Sequence, residues 1–175
     1  MKTTGSTVLI TGATSGIGLG LAERLQDRGD IVIVAGRRRA LLDEIVRSHP
    51  GMHAVELDVT DPASIAAAAE RVTQEHPGLD VVVTMAGVML PEDLRDPAHL
   101  EVAESTITTN LLGTIRTAAA FGPWLAAKPD GVLMTVSSGS RPCRCRRRRP
   151  TRRRRPPCTR SRRACACSGP ARPSR

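Results

Sequence analysis

Short runs dominated by β-branched residues recur along the chain, apolar at nearly every position instead of every second one. They are residues 7–10, 31–34, 81–83 and 132–136, the last with Leu133 and Met134 inside it, and 53–57 is a weaker fifth. A strand with one face in water alternates apolar and polar residues, so a continuous apolar run implies burial on both faces. Helical patterns fill the gaps. Residues 17–28 place Ile17, Leu21 and Leu25 four apart and stop at Gly29, and residues 40–48 are closed by Pro50. Asp61-Pro62 pairs an N-cap aspartate with a proline at the first helical position, ahead of an alanine-rich stretch. Asp96-Pro97 opens a fourth segment in the same way, and Ile107, Leu111 and Ile115 follow it, again four apart. Each apolar stripe is expected to face the core. Strand and helix alternating to five strands predict an α/β fold with a doubly wound parallel sheet.

Composition divides the chain in two. Residues 1–140 carry 11 basic and 17 acidic side chains and no cysteine. Residues 141–175 carry 15 arginines, no acidic residue and all five cysteines. The first part reads as one domain without a disulfide framework, which favours a reducing cytoplasm. No apolar run approaches the ~20 residues of a membrane span, and none has the length of a signal-peptide core. No metal site is expected.

The stretch Thr11-Gly12-Ala13-Thr14-Ser15-Gly16-Ile17-Gly18 lies between the first strand and the first helix. A glycine-rich turn there brings backbone N–H groups and the positive end of a helix against an anion, and a side chain would hold a pyrophosphate away. Its spacing, G-x-x-x-G-x-G, resembles the cofactor loop of the short-chain dehydrogenases/reductases. Further motifs follow in that family's order. Leu57-Asp58-Val59 resembles the turn after the third strand, where the aspartate meets adenine. Ala86-Gly87 resembles the end of the N-N-A-G motif, Asn110 the helix asparagine, and Ser137-Ser138 the strand-five motif whose second serine is catalytic. The resemblance covers residues 7–139 and none of the tail. It implies a Rossmann-like nucleotide-binding domain over 1–140, interrupted after strand five, and a disordered tail over 141–175. It also implies a nicotinamide dinucleotide as cofactor, held by Gly12, Ser15, Gly16, Ile17, Gly18, Arg37, Arg38, Asp58, Val59, Ala86 and Gly87, and a small carbonyl or secondary alcohol as substrate. One departure falls inside it. Thr84 and Met85 stand where the family pattern has asparagines that tie strand backbones together, and methionine cannot donate those bonds.

Cofactor choice is read at the end of the second strand, where an acidic residue accepts from the ribose hydroxyls of NAD. Here the stretch is Ala35-Gly36-Arg37-Arg38-Arg39. Guanidinium groups suit a 2′-phosphate, so NADP(H) is favoured over NAD(H), although arginines also begin solvated helix faces.

The resemblance assigns acid/base chemistry to a tyrosine 13 residues after the catalytic serine and a lysine four residues later. Those positions hold Thr151 and Arg155. The chain has no tyrosine, and its only lysines are Lys2 and Lys128. A threonine hydroxyl has no accessible pKa, and an arginine stays protonated. Of the catalytic set only Ser138 and Asn110 remain, so the exact chain is expected to be inactive, with the family dimer interface lost.

The tail uses only Arg, Pro, Cys, Thr, Ser, Ala and Gly. Arg, Pro, Ala and Gly share G/C-rich codons, which suggests a coding region read in the wrong frame. Starting each codon one base earlier lets Pro150-Thr151 yield tyrosine at 151. Arg154-Arg155, as CGA-AGG, then yields lysine at 155. The missing motif thus lands at its expected spacing, which points to a base lost near codons 138–140. The competing reading is a nucleotide-binding body with an arginine-rich arm that binds nucleic acid without sequence preference. Cys143-x-Cys145 and Cys165-x-Cys167 lack the usual spacing of zinc ligands, and the tail has no histidine.

Overall fold

The computed structural model describes residues 4–93 and 95–137. The expected boundary at 140, the tail, and Ser138, Thr151 and Arg155 lie outside the described residues. Among the described residues there are five strands: β1 (Thr7–Thr11), β2 (Ile31–Gly36), β3 (His53–Glu56), β4 (Leu79–Thr84) and β5 (Val132–Thr135). They form one parallel sheet in the order β3-β2-β1-β4-β5. The helices are α1 (Gly16–Asp27), α2 (Arg39–Ser48), α3 (Pro62–Glu75), α4 (Leu100–Ile107) and α5 (Gly113–Ala126). A single 3₁₀ turn (Pro97–His99) leads into α4, and a π-helical turn (Thr108–Leu112) joins α4 to α5.

Strand periodicity sends alternate residues of β1 to opposite faces. Val8 and Ile10 join Ala22 and Leu25 of α1 and Leu42 and Ile45 of α2. Leu9 joins Ile65, Ala68 and Val72 of α3 and Phe121 and Leu125 of α5. Both faces of the central strands are therefore covered, as their continuous apolar sequence requires. Asp61 caps α3, its Oδ1 accepting from the Ala63 N–H at 2.9 Å, and Asp96 does the same for Ala98 at 3.0 Å.

One apolar stripe does not face the core as expected, and that of α1 does so through Leu25 and Leu21 but not Ile17. Ile107, Leu111 and Ile115 are each more than half exposed. The buried stripe of α5 is Gly113, Thr117, Phe121 and Leu125. It begins two residues from Ile115, and two residues turn the helix by about 200°, so the isoleucine–leucine stripe points away from the sheet. In α1 the inward residues are Gly18, Ala22 and Leu25. Ile17 sits one position off that stripe and is 84% exposed.

Of the strand ties doubted at Thr84 and Met85, Thr84 makes one itself and Thr11 makes the others. The buried Thr84 hydroxyl donates to the Met134 carbonyl of β5 at 3.4 Å. The Thr11 hydroxyl accepts from the Met85 and Ala86 N–H groups at 3.0 and 3.1 Å. At the opposite end of β1, buried aspartates take backbone amides: Thr7 N–H, beside a register shift against β4, donates to Asp80 at 2.9 Å, and Ser6 N–H donates to Asp30 at 2.9 Å.

Candidate functional site

A cleft of about 210 Å³ opens at the carboxyl ends of the strands. Its walls come from the turns after four of them: Gly12, Thr14 and Ser15 after β1; Gly36, Arg37 and Arg38 at and after β2; Leu57 to Thr60 after β3; and Ala86 to Val88 after β4, with Thr109 of the π-turn. Strand order reverses between β1 and β4, and open α/β sheets hold ligands at such a point.

The glycines have separate reasons. Gly12 has φ +72°, and a Cβ there would lie 2.7 Å from the Ala86 Cα. The first turn can therefore run against the β4 turn only without a side chain. Gly16 has φ +57° with open space beside it, so it answers only to backbone conformation. A Cβ on Gly18 would sit 2.4 Å from the Gly12 carbonyl oxygen, so α1 closes onto its own loop. Ser15 is the N-cap of α1, and its side chain makes no capping bond. The first-turn N–H groups of α1 lack intrahelical acceptors, which favours an anion in front of them.

Arg37 and Arg38 are exposed on the cleft wall. Arg39 turns to Asp43 one helical turn on, with Nε donating to Oδ1 at 3.0 Å. Of the three arginines, two reach the cleft and the third serves a helix face. Asp58 accepts from the Thr60 N–H at 2.8 Å and the Thr60 hydroxyl at 2.7 Å, both on Oδ1. Burial is the largest single influence on its pKa and acts upward. The two bonds from Thr60 and the charge of Arg37 together outweigh it and hold the carboxyl below its ordinary value. Asp58 is thus an ionised acceptor at neutral pH.

Asn110 lies in the π-turn, a feature often found at functional sites. Its Oδ1 accepts from the Val88 N–H at 2.8 Å, and its Nδ2 donates to the Val88 carbonyl at 2.8 Å. This two-way clamp fixes the turn after β4. Gly113 lets the following helix settle on Val59, whose Cβ would lie 3.0 Å from an added methyl.

The structure thus brings Gly12, Ser15, Arg37, Arg38, Asp58, Val59, Ala86 and Gly87 to one cleft. Gly16 and Gly18 do not line it: Gly16 sets the backbone conformation of the turn and Gly18 closes α1 onto the loop. Ile17 faces solvent beside Gly20, Leu21 and Arg24. Sequence reasoning missed Thr14, Thr60, Val88 and Thr109 on the wall, and the Thr11 hydroxyl behind it. Most adjoin a motif residue, and that adjacency is the only signal they carry.

A model of the short chain dehydrogenase family matches residues 6–142. An uncharacterized oxidoreductase DltE of Bacillus subtilis (strain 168) is 37% identical over 140 residues, which are 79% of this chain and 56% of the relative. An NADP-dependent 3-hydroxy acid dehydrogenase of Schizosaccharomyces pombe is 33% identical over 140 residues, 77% of this chain and 54% of the relative. Among solved structures, a short-chain dehydrogenase from Streptomyces avermitilis superposes with a TM-score of 0.70 at 30% identity, covering 77% of this chain and 50% of that one. The chain spans about half the length of the curated relatives it matches.

Proposed function

The chain belongs to the short-chain dehydrogenase family, and from that membership we propose that it derives from an NADP-dependent oxidoreductase acting on a carbonyl or secondary alcohol, with the cofactor in the cleft above β1–β4. The observation that carries this reading is the meeting of the glycine turn, Arg37, Arg38 and Asp58 in one cleft. The residues fit the group: the glycine turn and the first turn of α1 stand at the cleft, and two exposed guanidinium groups stand where an acidic residue would favour NAD. Gly12, Ser15 and the first turn of α1 would hold the pyrophosphate, Arg37 and Arg38 the 2′-phosphate, and Asp58 the adenine side. A bound nicotinamide supplies hydride transfer. One relative is itself described as NADP-dependent.

Turnover by this exact chain is not expected. Asn110 is committed to Val88, and no tyrosine exists anywhere in the sequence to move a proton to the substrate oxygen. The family match stops at residue 142, where the arginine-rich segment begins. That coincidence supports a lost base near codons 138–140. Residues 141–175 would add only salt-sensitive, sequence-independent contact with phosphate backbones. Among the described residues no helix is long and apolar enough to cross a membrane, and the cysteine-free body fits a cytoplasmic setting.

Calorimetric titration with NADP and NAD tests the binding reading. NADP is expected to bind about tenfold tighter or more, and the Arg37→Ala/Arg38→Ala variant should lose that margin. Equal affinity for both in the unaltered chain would remove the assignment of the arginines. Ketone reduction by the 175-residue chain would refute inactivity. Sequencing the gene across codons 130–175 would decide the reading frame.

A further inference from the structure

A second groove, of about 290 Å³, runs along β3 and shares no lining residue with the cleft. Three elements supply its charged and titratable groups: Arg39 and Asp43 from α2, His53 from β3, and Arg71, Glu75 and His76 from the end of α3 and its C-cap. Buried Met52, half-buried Ala54 and exposed Val46 form an apolar floor. Arg39 donates to Asp43 through Nε at 3.0 Å, and Arg71 donates to Glu75 through Nε at 2.8 Å. Both bonds leave the donors on the Nη groups to other partners. The two imidazoles meet edge to face, with ring centroids 4.4 Å apart.

The charges of this wall are balanced while the histidines are neutral: two guanidinium groups against two carboxylates. A proton on the histidine pair tips the balance to positive. The surroundings of His76 resist that proton. Burial first, then the charge of His53, hold its pKa below the usual histidine value, with Arg71 acting the same way and Glu75 against them. The groove therefore takes up its extra charge most easily with an anion inside it. A cation would meet two guanidinium groups there, and among the described residues no three His, Cys, Asp or Glu side chains gather to hold a metal ion. Guanidinium and imidazolium donors on facing walls match a tetrahedral oxyanion. A bare ion would leave the floor of Val46 and Ala54 unused, whereas the carbon portion of an ester would cover it.

We propose that this groove at the β3 edge binds the phosphate group of a small organic phosphate through Arg39, Arg71, His53 and His76, with its carbon portion over Val46 and Ala54, and that binding draws a proton from solvent onto the histidine pair. The site is separate from the dinucleotide cleft and does not depend on the cofactor reading.

The test is NMR titration of the histidine rings in the full 175-residue chain, with glycerol 3-phosphate and with sulfate, each against sodium chloride of equal ionic strength. The chain has four histidines. His49, 3.2 Å from Glu23, and His99, which accepts the Asp93 N–H, are the controls. Both anions should raise the titration midpoint of His76 by about 0.5–1 unit over chloride and shift the His53 signal, leaving the controls in place. Sulfate keeps its charge across the range, so by reciprocity it should bind about three- to tenfold tighter near pH 5.5 than near pH 7.5. Glycerol 3-phosphate should bind about threefold tighter than sulfate near pH 7.5. Arg39→Gln/Arg71→Gln should abolish the anion-dependent rise at little cost in stability, since both ion pairs are exposed. Anions held by residues 141–175 or by the cleft would not depend on those two arginines. No rise beyond chloride, or a rise that survives the double substitution, would overturn the site. Sulfate binding as tightly as glycerol 3-phosphate would overturn the ester part.

Discussion

Replacing Gly12 with alanine separates two costs that glycine removes together. The first is conformational: Gly12 has φ +72°, and a Cβ-bearing residue pays about 1–2 kcal/mol in the left-handed region. The second is steric. The new methyl would sit 2.7 Å from the Ala86 Cα and 3.0 Å from the Ala86 N, where carbon atoms in contact settle at about 3.5–4.0 Å. The neighbour is backbone at the head of the β4 turn, and Thr11 already anchors its amide, so it cannot swing aside as a side chain would. Overpacking of this kind costs about 1–3 kcal/mol. Gly16→Ala is the internal control, because Gly16 has φ +57° and open space around its missing Cβ. Both variants lose a glycine from the unfolded chain, so that contribution cancels between them. Urea unfolding followed by circular dichroism should place Gly16→Ala about 1–2 kcal/mol below the parent and Gly12→Ala about 2–5 kcal/mol below it. Equal losses in the two variants, within about 0.5 kcal/mol, would refute the claim that the first glycine is set by its approach to Ala86.

Removing the clamp with Asn110→Ala should release the Val88 amide, raising its hydrogen-exchange rate by about tenfold or more while the β1 amides keep their protection. Half-buried His76 contacts His53, with ring centroids 4.4 Å apart; burial first, then the charge of His53, holds its pKa below the usual histidine value. The unfolded chain therefore binds the proton more readily, so this contribution to stability is complete above about pH 6.5 and lost as pH falls through the lowered folded value; urea midpoints between pH 7.5 and 5 should show that loss, and His53→Gln should reduce it. Ile17→Ala, at a position 84% exposed, should shift stability by no more than about 0.5 kcal/mol, whereas a core isoleucine would cost about 2–5 kcal/mol in the same unfolding assay.

The central strands β1, β2 and β4 were legible because parallel strands buried on both faces have no polar side to disguise them, whereas the edge strand β5 is largely exposed despite its apolar run. The helix starts at Asp61 and Asp96 were legible because an aspartate before a proline has one dominant use, though after Asp96 the chain makes a single 3₁₀ turn before its helix begins. The direction of a stripe was not legible. Ile107, Leu111 and Ile115 have the spacing of a buried face, but the face that α5 buries is marked by Gly113 and Thr117, small residues that carry no hydropathy signal. Gly113 is small because Val59 lies where its Cβ would be. Such a contact joins residues 54 apart in sequence and cannot be read from either alone. The same limit hid Asp30 and Asp80. Their carboxylates look like surface charges in the sequence, and they are buried acceptors for the amides that open β1.

The cleft residues were legible as types and less so as partners. The run Arg37-Arg38-Arg39 offered three equivalent guanidinium groups, and only the helix that starts at Arg39 distinguishes them, because it puts Asp43 one turn away. Thr84 and Met85 looked like a defect because the tie between strands was assigned to the side chains of that motif. The structure ties β4 to β5 through the Thr84 hydroxyl and to β1 through the Thr11 hydroxyl, which receives two backbone amides whatever side chains follow them. A turn whose amides are held by the Thr11 hydroxyl tolerates Met85, because those bonds use no side chain at that position. Each residue proposed to hold the cofactor lies between Gly12 and Gly87, within the described residues. In the proposed reading the proton-transfer positions are Ser138, Thr151 and Arg155, later in the sequence than β5. A change of reading frame near codon 139 would then divide binding from catalysis along the boundary that the fold itself provides.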